Sequence, residues 1–333
     1  MKRIMVTGGA GFIGSAFVRN TLRNYPEAHV VVYDKLTYAG NLNNLRDADP
    51  ARHTFVKGDI ADGETLGAAM VGCDAVVNFA AESHVDRSIM GASDFIRTNV
   101  EGVNTLLAQA LKCGVGRVLL VSTDEVYGSI AEGTFKESDP LHPRNPYAAS
   151  KAGSELFGTA YFETYGLPVV ITRGSNTYGP YQYPEKVLPL FVTNAIDCEG
   201  LPLYGDGRNV RDWLYVDDHC SGIDCALRNG TPGQAYNVPG GNERENIELT
   251  MRILELTGRG RELIRPVKDR IGHDLRYSID GSKLRALGWT PKTPWDDGVN
   301  ATVRWYQENE WWWRPIKSGE FREYYKRQYE DRK

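Results

Sequence analysis

The chain has 333 residues, of which 41% are hydrophobic and 25% charged, the composition of a globular protein with room for about two domains. Its formal charge of -4 and the lack of a long Lys/Arg run argue against nucleic-acid or membrane-surface partners, because both require a dense basic patch. Glycines near the start interrupt any signal-peptide pattern, and no apolar run is long enough to span a bilayer. The five scattered cysteines are typical of reduced thiols in a cytoplasmic protein.

Short β-rich runs alternate with helical stretches up to about residue 175. The runs read, in chain order, RIMVT, HVVVYD, TFVKGD, AVVNFA, RVLLVST and PVVITR. Helical patterns begin at Phe12 and Tyr147 and also cover residues 92–113. This alternation predicts a parallel sheet covered on both faces, which is a doubly wound, Rossmann-type α/β fold.

The chain after Arg173 is looser and richer in Pro, Tyr and Gly. Shorter helices are expected near residues 216–228, 246–257 and 296–308. We therefore expect a first domain over residues 1–175, which also uses part of 210–235, and a smaller C-terminal α/β domain over 176–333. The charged tail EFREYYKRQYEDRK is interpreted as a solvated helix or frayed end, and the run WWWRP as packing or an oligomer contact.

The glycine-rich loop VTGGAGFIG places Gly8, Gly11 and Gly14 between the first strand and the first helix. Such glycines let the backbone approach a pyrophosphate, and the helix amino end offers N–H groups and a partial positive charge. Asp34 follows about 20 residues later at the end of VVVYD, where an acid binds a ribose 2′-hydroxyl and repels a 2′-phosphate. The pattern favours NAD over NADP, whereas a tight turn without a ligand is the competing interpretation.

The carboxyl ends of the other strands complete the predicted cofactor site, because ligands bind there in parallel sheets. Asp59 is expected near the adenine, with Ala80, Ala81 and Ser83 toward the pyrophosphate and nicotinamide. Besides the three glycines and Asp34, the predicted NAD contacts are Phe12, Ile13, Lys35, Thr37, Asp59, Ile60, Ala80, Ala81, Ser83, Thr98, Ser122, Tyr147 and Lys151.

Two adjacent acids, Asp124 and Glu125, follow the buried run RVLLVST in the stretch STDEVYG. In a continuing strand their side chains would point to opposite faces, so that one charge would enter the core at a cost of several kcal/mol. The strand is therefore expected to end at this point, or the acids are required for chemistry.

The stretch YAASK places Tyr147 and Lys151 one helical turn apart on one face. Tyrosine, with an ordinary pKa of about 10, becomes a useful base only if neighbouring positive charges lower its pKa. We expect the Lys151 ammonium and an oxidised nicotinamide to do so. With the glycine loop and Thr123, this pair resembles the extended short-chain dehydrogenase/reductase superfamily.

Seven further stretches extend the resemblance: YDKLTYAGN, FAAESHVDRSI, STDEVYG, PYAASKAGSE, NTYGPYQYPEK, GDGRNVRDWLYVDDH and GHDLRY. Together they resemble the dTDP-glucose 4,6-dehydratase family along nearly the whole chain. Superfamily members that only oxidise and reduce C4, such as UDP-galactose 4-epimerases, carry no acid pair at this point. The resemblance implies an NAD-dependent hydro-lyase that converts dTDP-glucose to dTDP-4-keto-6-deoxyglucose and water, for deoxysugar routes that include cell-wall rhamnose and antibiotics.

The resemblance also implies roles for the residues around the acid pair. Asp124 would protonate the C6 hydroxyl and Glu125 would remove the C5 proton, while Thr123 aligns the C4 oxygen with Tyr147. Asp124 must then hold a proton near neutral pH, which requires desolvation or the Glu125 charge to raise its pKa. A C4 epimerase, a dehydratase for another nucleotide and a non-catalytic NAD-binding sensor are the alternatives.

The resemblance further implies a set of contacts to the sugar nucleotide, in which arginine suits the diphosphate because its planar fork bonds two oxygens. The set comprises Ser83, His84, Thr123, Asn176, Lys186, Val187, Pro202, Tyr204, Arg211, Asn246, Arg270, His273 and Tyr277, with Pro202 and Tyr204 at the nucleobase. No metal ligands are expected. The family usually pairs as a homodimer through two long helices, here those near 92–113 and 147–165.

Two positions depart from the family pattern. The family usually has two consecutive asparagines before YGPYQ, whereas this chain has Asn176 followed by Thr177. Threonine cannot present an amide, so a changed contact is expected there. Gly174 stands where a bulkier residue is more usual.

Overall fold

A computed structural model describes residues 1–269 and 273–330 of the chain. Its main feature is a seven-stranded sheet in the order β10-β6-β5-β4-β1-β2-β3, in which every neighbouring pair is parallel. The strands are β1 Arg3–Thr7, β2 His29–Asp34, β3 His53–Lys57, β4 Ala75–Asn78, β5 Arg117–Thr123, β6 Val169–Gly174, β7 Asn176–Tyr178, β8 Leu201–Tyr204, β9 Val210–Tyr215, β10 Ala235–Val238, β11 Glu243–Glu245 and β12 Ile264–Val267.

Helices connect the strands and cover the sheet. They are α1 Phe12–Asn24, α2 Gly63–Met70, α3 Val85–Met90, α4 Ser93–Phe95, α5 Val103–Lys112, α6 Pro146–Tyr165, α7 Val187–Ile196, α8 Val216–Asn229, α9 Asn246–Thr257, α10 Ser282–Arg285, α11 Trp295–Glu308, α12 Glu310–Trp313 and α13 Glu320–Tyr325. π-helical turns over Ile96–Gly102 join α4 to α5, so that the expected helix at 92–113 is nearly continuous.

Strand β2 shows why the central runs are apolar without interruption. Val30 and Val32 pack into one core cluster, whereas Val31 and Tyr33 pack into a second cluster on the opposite face. A parallel strand with helices on both sides is buried on both faces and therefore needs no polar alternation. The predicted doubly wound α/β fold and its six leading strands are confirmed.

Two small sheets lie beyond the main one, with the orders β11-β9-β7 and β12-β8. The chain returns to the main sheet after β9: α8 packs in its core, and β10 pairs with β6 at its edge. The returning segment thus runs over 216–238, whereas Val210–Tyr215 belongs to a small sheet. A division near residue 175, with this segment assigned to the first domain, is our proposal for the domain boundary.

The C-terminal region is better packed than its composition suggests. Trp312 and Trp313 are buried in a third core cluster, in line with the packing interpretation of WWWRP. The interpretation of the tail as solvated or frayed is wrong for its described part, because Phe321, Tyr324 and Gln328 are buried. Among residues 1–269 and 273–330, no helix combines the length and apolarity needed to cross a bilayer.

Candidate active site

The acid pair lies where the central strand β5 stops. Thr123 is its last residue, and Asp124–Tyr127 form a 3₁₀ turn. The Thr123 hydroxyl accepts a hydrogen bond from the Glu125 N–H at 3.3 Å, which caps the turn, and donates to the Asp124 carboxylate at 3.3 Å. The strand therefore ends as expected, and the turn carries both acids along one edge of the sheet.

The two carboxyl groups have different surroundings. Asp124 is 3% exposed, and burial, followed by the neighbouring charge of Glu125, raises its pKa well above the ordinary value. Glu125 is less buried and accepts a hydrogen bond from the Asn145 amide at 3.2 Å. The Tyr277 hydroxyl lies 3.5 Å from the Glu125 carboxylate but donates to Asp274 at 2.7 Å. One acid is thus suited to holding a proton, while the other is oriented as an acceptor.

Tyr147 and Lys151 lie on α6, which runs past the end of β5. Burial and then the Glu125 charge raise the pKa of Tyr147, while a hydrogen bond with Thr123 opposes them. Lys151 donates to the Val121 carbonyl at 2.6 Å, and burial lowers its pKa to about 8. The protein's own groups therefore shift the pKa of Tyr147 opposite to the expected direction, because burial outweighs the hydrogen bond.

The glycine loop, here called the cradle, packs its backbone too closely to admit side chains at two of its glycines. Gly8 has φ +66°, and a Cβ there would lie 2.5 Å from the Ala80 backbone nitrogen. A Cβ at Gly14 would lie 2.3 Å from the Gly8 carbonyl oxygen. Asp34 stands beside this loop and accepts hydrogen bonds from the backbone N–H groups of Ala10 and Leu36. The loop therefore needs glycine at these positions for close backbone packing, which is how a glycine loop of the dinucleotide-binding type brings its strand and helix together.

The predicted cofactor residues line two adjoining cavities. Asp59, expected at the adenine, lies in the outer cavity and forms ion pairs with Lys35 and Arg97, both at 3.0 Å. The outer cavity is lined by Gly8, Gly11, Asp34, Lys35, Thr37, Asp59, Ile60, Ala80, Ala81 and Thr98. The inner cavity is lined by Gly8, Gly11, Phe12, Ile13, Gly14, Ala81, Ser83, Ser122, Thr123, Asp124, Glu125, Tyr147 and Lys151.

The predicted sugar-nucleotide residues surround a third cavity, which shares Glu125 with the inner one. Arg211 is held in its wall by hydrogen bonds to the carbonyls of Val210 and Asp274, and its guanidinium stacks on the Tyr277 ring at 4.4 Å. The predicted residues that line this cavity are His84, Asn176, Lys186, Val187, Pro202, Tyr204, Arg211, Asn246, His273 and Tyr277. Arg270 lies outside the described residues.

Several buried polar atoms along these cavities have no hydrogen-bond partner within the described part of the chain. They are Ser122 Oγ, Asp124 Oδ2, Gln182 Oε1 and His219 Nε2 in the inner cavity, His84 Nδ1, Asp86 Oδ1 and Asn246 Oδ1 in the third, and Asn176 Oδ1 and Trp213 Nε1 in both. Buried polar groups are normally satisfied, so this concentration fits a polar ligand that spans both cavities.

His219 is a site residue that the sequence reasoning missed, and it lies against both positions that depart from the family pattern. Its Nδ1 lies 2.7 Å from the Thr177 hydroxyl, which also donates to the Ser175 carbonyl. A Cβ at Gly174 would lie 2.4 Å from His219 Nε2, so glycine there makes room for the ring. His219 ends the sequence motif VDDH at the start of α8, but nothing in the sequence indicates that α8 packs against Gly174.

Fold and site together define an extended short-chain dehydrogenase/reductase with a glycine cradle for a dinucleotide, a Tyr147–Lys151 pair and an adjoining acid pair. The family model of GDP-mannose 4,6 dehydratase matches residues 5–302. A dTDP-glucose 4,6-dehydratase of Streptomyces niveus is 50% identical, over 95% of this chain and 96% of that protein.

Solved structures agree with this match. The dTDP-glucose 4,6-dehydratase DesIV of Streptomyces venezuelae, crystallised with NAD bound, is 57% identical and superposes with a TM-score of 0.92 over 95% of this chain and all of that one. A UDP-glucose 4-epimerase of Thermus thermophilus, in complex with NAD, is 32% identical, with a TM-score of 0.86 over 92% of this chain and 99% of that one. The chain belongs to the dTDP-glucose 4,6-dehydratase family.

Proposed function

We propose that this chain is an NAD-dependent hydro-lyase that converts dTDP-glucose to dTDP-4-keto-6-deoxyglucose and water. The observation that carries the proposal is the acid pair, with Asp124 buried and inclined to keep its proton and Glu125 oriented as an acceptor in the same cavity. An enzyme that only oxidises and reduces C4 has no need of either group. NAD, which the glycine loop and Asp34 would hold, would supply a reversible hydride acceptor for the hydrogen exchanged between C4 and C6.

Tyr147 and Thr123 are assigned to the C4 oxygen. Their side chains are hydrogen-bonded to each other, and both line the inner cavity beside the glycine cradle. Thr123 holds the C4 oxygen in line. Tyr147 removes the proton of that oxygen as a phenolate, a form that the positive charges of Lys151 and of a bound oxidised nicotinamide would have to favour against the burial that raises the Tyr147 pKa. Lys151, fixed on the Val121 carbonyl one turn further along α6, adds positive charge beneath the tyrosine.

Asp124 and Glu125 are assigned to the elimination. A ketone at C4 acidifies the C5 proton, which Glu125 removes, while Asp124 gives its proton to the departing C6 hydroxyl to form water. Glu125 then returns a proton to C5 as the hydride arrives at C6, so the atoms balance and no external reductant is consumed. The raised pKa of Asp124 is the physical condition for the acid step.

The third cavity is assigned to the nucleotide. Arg211 and Lys186 are cations that suit the diphosphate, and the amides of Asn176 and Asn246 line the same cavity. His84, which burial keeps neutral by lowering its pKa to about 3, lies beside the sugar end together with Ser83.

We also propose a homodimer in the cytoplasm without a nucleic-acid partner. The helices expected to pair carry exposed apolar side chains, including Ile96, 58% exposed, and Leu156, 64% exposed. Such side chains on adjacent helices suit a four-helix contact between two copies. Light scattering of the purified protein should give twice the mass of the 37.2 kDa chain.

Incubation of the purified protein with dTDP-glucose in deuterated water tests the proposed reaction. The expected product is a 4-keto sugar that absorbs strongly in alkali and carries deuterium at C5, because Glu125 exchanges its proton with solvent. Recovery of dTDP-galactose without C5 deuterium would instead indicate a C4 epimerase and would overturn the proposal.

A further inference from the structure

The C-terminal segment, residues 320–330, presents a row of aromatic rings on one face. It consists of α13 and π-helical turns over Lys326–Glu330. Phe321, Tyr325 and Tyr329 recur every four residues, with ring centroids 6.3 Å and then 5.0 Å apart. The row leads from the buried core out to the third cavity, which Tyr329 lines.

This segment is tied to the body of the protein by side chains next to the cavity. The Arg87 guanidinium lies between two rings, 4.1 Å from the Tyr38 centroid and 4.4 Å from that of Tyr324. Arg87 also pairs with the buried Glu185 at 3.0 Å. Tyr324 in turn stands edge to face with His84 at 5.6 Å. The segment is therefore packed in place and is not a loose end.

Tyr204 is held by the same segment. The Gln328 amide donates to the Tyr204 hydroxyl at 2.7 Å, and that hydroxyl donates to Asp86 at 3.4 Å. The Tyr329 and Tyr204 rings lie 6.0 Å apart, tilted by 43°. Two aromatic rings, one from β8 and one from the chain end, thus form a continuous surface, and Gln328 sets the position of the first.

The position of this surface indicates which part of a sugar nucleotide meets it. The inner and third cavities share Glu125, Asn176 and Lys186, so a ligand can pass from one to the other. The reacting sugar carbons must lie at the Thr123–Glu125 end and the diphosphate beside Arg211. The remaining end, at Tyr204 and Tyr329, is then left for the nucleobase.

We propose that Tyr329 extends the nucleobase contact that the resemblance already assigns to Tyr204, so that the two rings form one aromatic wall for the substrate base, and that Gln328 is a positioning residue for Tyr204. The inference rests on the proposed function, since it takes a nucleoside diphosphate sugar as the ligand. An aromatic face stabilises a stacked base without reading its hydrogen-bonding edge, so a wall of this kind accepts thymine and uracil alike.

The test compares Tyr329→Ala, Gln328→Leu and the exposed neighbour Arg327→Ala, each loaded with NAD. Tyr329→Ala should raise the KM for dTDP-glucose about tenfold and leave kcat within about twofold, because the wall is remote from the reacting carbons. Gln328→Leu should give a smaller rise of the same kind, and Arg327→Ala no change. The Kd for dTDP, measured by calorimetry, should weaken in parallel with KM.

Each other outcome is decisive. An unchanged Kd for dTDP in a folded Tyr329→Ala protein would overturn the proposed aromatic wall. Weaker binding of dTDP-glucose with unchanged binding of dTDP would place the Tyr329 contact on the sugar, and this result would also overturn the proposal. If Tyr329→Ala lacks a cooperative thermal transition, the Gln328→Leu values decide, with unchanged KM and Kd counting against the proposal. Wild-type protein that fails to dehydrate dTDP-glucose would instead refute the proposed function.

Discussion

The cofactor half of the cleft and its nucleotide half are built from different kinds of sequence. The cofactor half uses short continuous stretches at strand ends, where the glycine cradle and the turn after β5 place backbone and acids directly. The nucleotide half gathers side chains from segments as distant as His84, Arg211 and Tyr329. Changes in the first half should therefore remove the chemistry, and changes in the second should mainly alter affinity.

The largest effect is expected from Glu125→Gln. An amide of the same shape keeps the contact with Asn145 but cannot accept the C5 proton, so turnover should fall by about 10²–10⁴-fold. NAD content should stay at the wild-type level, and C5 exchange in deuterated water should become undetectable by NMR.

Glu132→Gln, at an exposed glutamate, is the matched control and should keep full activity. A Glu125→Gln enzyme with wild-type turnover would show that the base is another group. The expectation that changes in the cofactor half of the cleft remove the chemistry would then fail at its main residue.

A second, somewhat smaller effect is expected from Gly14→Ala. Its Cβ would meet the Gly8 carbonyl at 2.3 Å, and backbone cannot yield as a side chain can, so the cradle must distort. The Kd for NAD should rise at least about a hundredfold, as read by fluorescence titration and by the nucleotide content of purified protein.

Gly91→Ala is the control for that change, because a Cβ at Gly91 would meet nothing within 4 Å. Equal NAD affinity in the two variants would contradict the assignment of the loop to the pyrophosphate.

Gly174→Ala tests the region where the cofactor half and the nucleotide half of the cleft meet. Its Cβ would displace the His219 ring, so we expect kcat/KM to fall about tenfold and the free energy of unfolding to drop by about 1–3 kcal/mol. Removing the ring as well, in Gly174→Ala with His219→Ala, should give a loss smaller than the sum of the two single changes. Strict additivity in urea unfolding would show that the residues are independent.

The smallest effect is a pH dependence of stability. Burial lowers the pKa of His219 to about 4, against an ordinary value of 6.5, so below pH 6.5 the unfolded chain binds a proton that the folded protein does not. Stability contributed by the neutral ring is present above pH 6.5 and is lost as the pH falls toward 4, at about 1.4 kcal/mol per pH unit. His219→Gln should show a shallower decline in urea midpoints between pH 6.5 and 5, and an identical slope would refute the assignment.

The sequence predicted the parts of the molecule in which local pattern and tertiary environment agree. Five of the six leading strands, all but the edge strand β3, were found because burial on both faces leaves a continuous apolar run. The small sheets were missed because strands of three to six residues, such as β7 and β9, depend on distant partners more than on their own composition.

The site shows the same division. Residues at strand ends and in motifs were found, whereas His219, Gln328 and Tyr329 act through packing between remote segments. For the chain end, high charge suggested solvation, while the four-residue spacing of Phe321, Tyr325 and Tyr329 was the available signal of a buried face.

The 3₁₀ turn after β5 holds in one place both groups that are assigned to the elimination. Three consecutive residues, Thr123 to Glu125, are assigned to three neighbouring carbon centres of one sugar, and the capped turn holds them without help from the substrate. Replacing only two adjacent residues of this turn would therefore remove both groups that are assigned to the elimination. The scaffold, the cradle and the nucleotide wall would remain as they were.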